Sequence, residues 1–364
     1  MSYIFSSPGK YIQGKGEISC LGKYTGVFGK RMLVIIDQFL YDMLHDKLNQ
    51  NIEAYETEIE YSIFNGECTY DEMKRLQNLY EEKKCDIVVG VGGGKTLDTA
   101  KGTANYCDAP LAIVPTSASQ DAPCSSLSVV YKADGKFDSF MIHKKNPDLV
   151  IVDSQVICEA PARMIAAGMG DGLSTLFESR ACIASDLDNT AGGKATNTAE
   201  MLAQLCYKII MRDGVLAYQS VERKVVTKAL ENVIEANIFL SGIGAEGTGD
   251  ACAHGIYNAL TTIPDCEGYM HGELVSFGII VQLVLENESP DVIKEVLDFL
   301  TKVNLPVCLK DIGVDNKDAD KLMAVAKVAV EDTVSNMPFA VSAEDVYAAM
   351  IAADALGMSF TGRN

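Results

Sequence analysis

The first 160 residues alternate between short apolar runs and longer amphipathic segments. The apolar runs are rich in β-branched residues, as expected of strands buried on both faces, and they lie at 32–36, 86–89, 110–114 and 148–152. Residues 56–64 alternate weakly and predict a further strand. The segments between them have helical spacing, at 39–51, 69–84 and 95–105. This alternation predicts a doubly wound parallel sheet. Residues 127–142 add a predicted hairpin, and the glycine-rich residues 10–30 predict a hairpin or loop before the first core strand.

The pattern changes after Pro161, where Ala, Met and Leu recur at helical spacing to the end of the chain. Eight segments have this spacing: 163–181, 197–211, 221–241, 250–262, 272–285, 291–303, 318–330 and 342–357. The sequence therefore predicts an α/β domain over residues 1–160 and an all-α domain over residues 161–364. A cleft between two such domains is the usual place for a ligand.

Charge and composition narrow the possible partners. The chain has 364 residues, a net charge of −19 and a pI near 4.6, which argues against binding to nucleic acid or to an anionic membrane surface. No apolar run approaches the ~20 residues of a membrane span, and the N-terminus lacks the features of a signal peptide. Eleven cysteines without a C-x-x-C motif predict reduced thiols in a cytoplasmic protein.

Four glycines follow the strand that ends at Val89, within five residues: Gly90, Gly92, Gly93 and Gly94. A strand, a glycine turn and a helix point free backbone N–H groups at a bound anion, and glycine permits both close approach and positive φ. The spacing matches neither G-x-G-x-x-G, because Lys95 replaces the third glycine, nor the P-loop, because Val89 replaces its first. The stretch predicts phosphate or pyrophosphate binding, and an ordinary tight turn is the alternative.

Asp37 stands at the end of the strand 32–36. An acidic residue in this place often accepts hydrogen bonds from ribose hydroxyls. It is equally compatible with capping the helix that follows.

A candidate metal site lies in the second half of the chain. His254 and His271 are 17 residues apart, each followed by glycine, and Asp171 interrupts an otherwise apolar helical segment. A buried carboxylate needs a cation or donors, and one Asp with two His makes a three-ligand divalent site with an open position. The alternative is that all three residues cap helices. His45 and His143 are expected to be surface or structural residues.

These residues lie in motifs that resemble the glycerol dehydrogenases, within the metal-dependent alcohol dehydrogenases related to dehydroquinate synthase. The similar motifs span both halves, at 92–101, 115–123, 126–131, 168–175, 253–256 and 269–273. The resemblance implies an N-terminal NAD-binding domain, a helical C-terminal domain, and zinc between them. It also implies a homo-oligomer, often an octamer among relatives.

Carried over by position, the resemblance implies that Asp171, His254 and His271 bind zinc and that Asp121 contacts substrate hydroxyls. The catalytic set is then Asp121 with the three zinc ligands. Asp37 would hold the adenosine ribose and repel a 2′-phosphate, which favours NAD over NADP. The implied cofactor-binding residues are Asp37, Gly94, Lys95, Thr96, Leu97, Asp98, Thr116, Ser117, Ala118, Ser119, Ser125, Leu127 and Tyr131.

The implied activity is the oxidation of glycerol to dihydroxyacetone. The chain departs from the family pattern at Tyr257, where a histidine is common, and at Glu267-Gly268, where a His-His pair is common. Another small vicinal diol or hydroxyketone as substrate, or a catalytically silent NAD-binding protein, are therefore alternatives. Iron-type relatives carry a fourth ligand, a histidine, at the position of Thr175, and the three remaining N/O ligands fit zinc.

Overall fold

A six-stranded parallel sheet organises the first part of the chain in the computed structural model, which describes residues 2–363. The strands are β1 Tyr11–Gly14, β2 Arg31–Ile36, β3 Glu58–Ile63, β4 Ile87–Gly92, β5 Leu111–Pro115, β6 Leu127–Tyr131, β7 Phe137–Ile142 and β8 Leu149–Asp153. The sheet has the order β1-β8-β5-β4-β2-β3, and β6 pairs with β7 as an antiparallel hairpin. The predicted α/β class, parallel sheet and hairpin are confirmed.

Helices cover both faces of this sheet, which explains the unbroken apolar runs. They are α1 Leu21–Thr25, α2 Gln38–Asn49, α3 Tyr70–Lys83, α4 Gly94–Cys107 and α5 Ser154–Glu159. Along β2, Leu33 and Ile35 join the core on one face, whereas Met32 and Val34 join the core on the other. From β2 the chain adds β3 on one side and then β4 on the other, which makes a topological switch point between β2 and β4. The loops after these two strands therefore flank a crevice that suits a ligand.

The expectation of a hairpin or loop at residues 10–30 is wrong. β1 pairs in parallel with β8, and α1 follows it. The carboxylate of Asp153, at the end of β8, accepts hydrogen bonds from the backbone N–H groups of Gly16 (3.2 Å) and Ile18 (3.1 Å). This tether, together with the positive φ of Gly16, turns the segment back along the sheet edge.

The remainder of the described chain is helical. Its α-helices are α6 Ala162–Ala184, α7 Asn197–Glu222, α8 Lys228–Glu235, α9 Ser241–Thr248, α10 Cys252–Leu260, α11 His271–Leu285, α12 Pro290–Lys302, α13 Ala319–Val330 and α14 Ala343–Phe360. A short π-helix, Ala236–Leu240, joins α8 to α9. The expected helix at 221–241 is displaced, because α7 continues to Glu222 and Thr227 caps the next helix through the N–H of Leu230. Within residues 2–363, no helix is long and apolar enough to cross a membrane.

Candidate active site

Asp171, His254 and His271 converge on one point. The Asp171 Oδ1 atom lies 2.9 Å from Nε2 of His271 and 3.4 Å from Nε2 of His254. The two Nε2 atoms are 3.3 Å apart. A triangle of this size is what three nitrogen and oxygen ligands form around a cation at about 2.0–2.2 Å. The three residues that the sequence singled out in separate motifs therefore form one cluster.

Glycines allow the helices that carry the cluster to touch. A Cβ on Gly272 would lie 1.7 Å from the carbonyl oxygen of Ala167, and one on Gly170 would lie 2.3 Å from the carbonyl oxygen of Gly272. The first turn of α11 thus rests directly on α6, which brings His271 to Asp171. The helix-capping alternative is wrong for Asp171, because this residue lies in the interior of α6.

Glu178 supports the cluster from behind, a role that the sequence analysis missed. Its Oε1 atom accepts hydrogen bonds from the backbone N–H groups of Ala251 (2.9 Å) and His254 (2.8 Å). Its Oε2 atom lies 2.7 Å from Nδ1 of His254. Because an ionised carboxylate only accepts, the imidazole proton belongs on Nδ1, and the Nε2 lone pair is directed at the cluster. Glu178 follows Asp171 by two turns on the same face of α6, a spacing that could have revealed it.

The residues present fit a divalent cation. Asp171 and Glu178 are each only 1% exposed, and burial raises the pKa of the nearby Asp250 to about 6. Although burial alone would raise the pKa of Asp171, the His271 and His254 imidazoles hold it below its usual value. A carboxylate oxygen and the Nε2 lone pair of an oriented imidazole meet here, and a bound cation would supply the compensating positive charge.

Asp121 lies beside this cluster, at the end of the loop that follows β5. Its backbone N–H donates to Oδ2 of Asp171 (3.1 Å), and its carboxylate Oδ2 accepts from the hydroxyl of Ser241 (2.9 Å). Burial, reinforced by the Asp171 carboxylate, raises the pKa of Asp121 to about 7. The candidate substrate residue and the candidate metal ligands therefore adjoin.

The glycine stretch, which runs from the end of β4 to the start of α4, lies in this same region. A Cβ on Gly94 would lie 1.9 Å from Nε2 of Gln120, the residue before Asp121, whereas a Cβ on Gly93 would meet open space at the start of α4. The predicted need for positive φ is wrong, since none of the four glycines, all within the described chain, has it. Close approach and free space at a helix N-terminus remain as the reasons for glycine, and both suit a phosphate.

Asp37 faces the glycine stretch across the crevice. It occupies the N-cap position of α2, but its carboxylate accepts no hydrogen bond from the first turn of that helix, which the structure describes in full. It accepts instead from the hydroxyl of Thr96, at 2.8 Å. Lys95 pairs with Glu67 and lies 5.0 Å from the centre of the Tyr131 ring. Two pairs of implied cofactor residues are thus adjacent, Asp37 with Thr96 and Lys95 with Tyr131.

Two implied cofactor residues point into the protein. Leu97 belongs to the apolar core. Asp98 is buried in an ion pair with Lys101 (3.0 Å) and accepts from the backbone N–H of Val129 (3.0 Å). Lys101, which was not singled out, also donates to the carbonyl oxygen of Leu127, at 2.8 Å. The Asp98–Lys101 pair therefore fixes the segment beside α4 in place.

The other implied cofactor residues lie in and after the loop that follows β5. The N–H of Thr116 donates to the carbonyl oxygen of Gly92 (3.1 Å), which extends β5 beside the glycine stretch. Ser117 and Ser119 share a hydrogen bond of 3.1 Å, whereas Ala118 is buried. The Ser125 hydroxyl accepts from Lys101, at 3.2 Å.

The departures from the family pattern meet at a cavity next to the cluster. This cavity, of about 400 Å³, is lined by Tyr257, Glu267 and His271 among others. The ring of Tyr257 packs edge-on against that of His271, with centroids 4.2 Å apart and an interplanar angle of 71°. These positions therefore border a cavity that one residue of the cluster, His271, also lines.

Comparison with known proteins agrees with this arrangement. Residues 8–154 match the family described as "Iron-containing alcohol dehydrogenase". The chain is 44% identical to "Glycerol dehydrogenase" of Escherichia coli O6:H1, over 99% of both chains. It is 38% identical to "Glycolaldehyde reductase" of Halobacterium salinarum, over 98% of both.

Among solved structures, it is similar to a probable glycerol dehydrogenase from Sinorhizobium meliloti 1021. The TM-score is 0.92 at 40% identity, covering 98% of this chain and 100% of that one. Relatives of this identity over the full length, together with the matched geometry, are sufficient to assign the family. The chain therefore belongs to the iron-containing alcohol dehydrogenases and, within them, to the glycerol dehydrogenases.

Proposed function

We propose that this chain is an NAD-dependent polyol dehydrogenase that interconverts glycerol and dihydroxyacetone, with zinc as its metal. The single observation that carries this proposal is the 3.1 Å hydrogen bond from the Asp121 N–H to Asp171. It joins the Asp/His/His cluster to a loop whose preceding residue, Gln120, covers Gly94. Hydride transfer between an alcohol and a dinucleotide requires the two to be held side by side. A candidate metal site and a candidate phosphate-binding turn that contact the same loop would meet this requirement.

Asp171, His254 and His271 would hold the cation, and Glu178 would keep the His254 proton on Nδ1. When bound, the cation lowers the pKa of an alcohol, and NAD accepts the hydride. Asp121, which lies beside the cluster, would accept a hydrogen bond from a hydroxyl of the polyol and so orient it. The absence of a cationic side chain from this described set suits a neutral polyol better than a phosphorylated one.

On the cofactor side, Asp37 would accept hydrogen bonds from the adenosine ribose, with its carboxylate held by Thr96. The segment Gly94 to Asp98 would contribute the N-terminus of α4 to the pyrophosphate. Leu97 and Asp98 would act indirectly, by fixing α4 in place, because their side chains are buried and the N–H of Leu97 donates to the carbonyl oxygen of Gly93 (3.0 Å). The residues proposed to line the rest of the cofactor are Thr116, Ser117, Ala118, Ser119, Ser125, Leu127 and Tyr131.

A second candidate is a dehydrogenase for another small vicinal diol, hydroxyaldehyde or hydroxyketone. Tyr257 and Glu267, which replace residues common in the family, line the cavity beside His271. The relative named glycolaldehyde reductase also acts, by its name, on a smaller carbonyl compound. The steps assigned to the chain's own residues are the same for either substrate.

The test measures the reduction of NAD, monitored by absorbance, with glycerol, propane-1,2-diol or ethane-1,2-diol as the substrate. We expect turnover of at least one diol, loss of turnover with a chelator, and recovery with added zinc. His254→Ala should lose both the metal and the activity, whereas His45→Ala, on the surface of α2, should keep both. Full activity of His254→Ala would refute the metal assignment, and absence of turnover with every diol would favour a silent NAD-binding protein.

Three further expectations stay proposals. They are a domain boundary near residue 160, a homo-oligomer and a cytoplasmic location. Light scattering of the purified protein tests the second, and a monomer at micromolar concentration would contradict it.

A further inference from the structure

The helix formed by α8, the π-helix and α9 runs along the loop that carries Asp121. At the π-helix, the buried Asn237 donates through Nδ2 to the carbonyl oxygens of Ala118 (3.0 Å) and Ile165 (3.2 Å). Its Oδ1 atom is buried without a partner among the described residues. A π-helix adds one residue to a turn and is frequent at functional sites. Because only the Nδ2 group of this buried amide has hydrogen-bond partners, the two hydrogen bonds that it donates determine its position.

One turn later, Ser241 meets Asp121 itself. The Ser241 hydroxyl oxygen lies 2.9 Å from Asp121 Oδ2 and 2.9 Å from the hydroxyl oxygen of Thr175 on α6. The Ser241 hydroxyl donates to Asp121, and because a hydroxyl carries a single proton, Thr175 then donates to Ser241. The result is a directed chain of hydrogen bonds from Thr175 through Ser241 to Asp121.

The contact continues along α9. A Cβ on Gly242 would lie 2.6 Å from the carbonyl oxygen of Asp121, so helix and loop touch at this point. Glu246 accepts from the backbone N–H of Ser126 (3.1 Å) and also from the side chain of Asn146. The same helix therefore holds the loop before, at and after Asp121.

We propose that Ser241, supported by Thr175, is the positioning residue that orients the Asp121 carboxylate toward the polyol. The inference rests on the proposed function of Asp121. The backbone of Asp121 is fixed by the hydrogen bond from its N–H to Asp171, but this bond leaves the carboxylate free to rotate. The hydrogen bond from Ser241 restricts that rotation. At the position where iron-type relatives carry a metal ligand, Thr175 thus contributes to the substrate side of the site.

The chain contains a matched control for this hydroxyl chain. Ser179 on α6 and Thr248 on α9 form a second Ser–Thr pair between the same two helices, 2.6 Å apart and equally buried. Neither hydroxyl contacts Asp121. Thr175→Val and Thr248→Val therefore each remove one buried threonine hydroxyl from a Ser–Thr pair, that of Thr248 being bonded also to the carbonyl oxygen of Gly244 (2.8 Å). A larger effect of Thr175→Val on KM than of Thr248→Val reports on Asp121 rather than on helix packing.

The experiment measures KM for glycerol, kcat, NADH affinity by fluorescence, and metal content. We expect Ser241→Ala and Thr175→Val to raise KM for glycerol about threefold to tenfold, the scale of one lost hydrogen bond, with NADH affinity and metal content unchanged. Thr175→Ser, which keeps the hydroxyl, and Thr248→Val should keep the wild-type KM.

Two outcomes would overturn the inference: an unchanged KM in Ser241→Ala, or equal changes in Thr175→Val and Thr248→Val. If the wild-type protein oxidises no polyol, the proposed function fails, and crystal structures then decide the inference separately. A rotated Asp121 carboxylate in Ser241→Ala would support the positioning role, and an unchanged carboxylate would exclude it.

Discussion

Replacing Glu178 by Gln tests whether the proton on His254 controls metal binding. Glutamine keeps one oxygen, which would stay with the backbone N–H groups of Ala251 and His254, 2.9 and 2.8 Å away. Its NH₂ group then faces Nδ1 of His254, where the carboxylate oxygen was at 2.7 Å. Two donors cannot share a hydrogen bond, so the imidazole proton must move to Nε2.

A protonated Nε2 points at Asp171 and cannot bind a metal. The loss of an outer-shell carboxylate that fixes a histidine tautomer typically weakens metal affinity about 10- to 100-fold. This factor corresponds to about 1.4–2.7 kcal/mol of binding free energy. Because the substitution changes neither size nor the two backbone hydrogen bonds, the fold should be retained.

The assay is competition for zinc between the protein and a chromophoric chelator, with circular dichroism to confirm the fold. Glu72→Gln is the matched control, because Glu72 on α3 is also buried and hydrogen-bonded, but its partners are Asn65 and Arg75. We expect control and wild type to bind zinc equally. Wild-type zinc affinity in Glu178→Gln would refute the tautomer argument.

Three further predictions concern the cofactor, the core and the helix contact. Asp37→Ala should lower the ratio of kcat/KM for NAD to that for NADP by about tenfold or more, because a carboxylate no longer repels the 2′-phosphate. Lys101→Met should cost about 3–5 kcal/mol in urea unfolding by leaving Asp98 buried without its ion pair. Adding Asp98→Leu should recover only part of this loss, because the Val129 N–H and the Leu127 carbonyl oxygen then lack their partners. Gly272→Ala should bind less zinc by elemental analysis, since its Cβ would lie 1.7 Å from the Ala167 carbonyl oxygen and push α11 from α6.

Much of the sheet follows from local sequence. Apart from Arg31 and Asp153 at the strand ends, β2, β4, β5 and β8 are apolar throughout, as expected of strands that are covered on both faces. The candidate metal ligands were equally predictable from the sequence, because a lone Asp171 in an apolar helix needs a counter-charge and the chain offers two glycine-flanked histidines. In both cases the physical demand is visible in a single short segment.

The misses depend on partners far away in the sequence. The strand at Tyr11–Gly14 exists because it pairs with β8, and its four residues carry no strand pattern of their own. The inward orientation of Asp98 depends on Lys101 and on the backbone of Val129. The hydroxyl of Ser241 becomes meaningful only once α9 lies on the loop at Asp121. Such contacts are set by tertiary packing, which periodicity does not encode.

The two carboxylate oxygens of Asp171 have different partners. Oδ1 contacts the histidines of the cluster, and Oδ2 accepts a hydrogen bond from the backbone N–H of Asp121. Binding of a cation at Oδ1 is therefore expected to change the free energy of the hydrogen bond at Oδ2, and thermodynamic linkage makes this effect reciprocal. Filling the metal position should order the loop and tighten binding of polyol, and saturating polyol should in turn slow the escape of the metal. Through this one buried carboxylate, retention of the cation and binding of the polyol would be thermodynamically coupled.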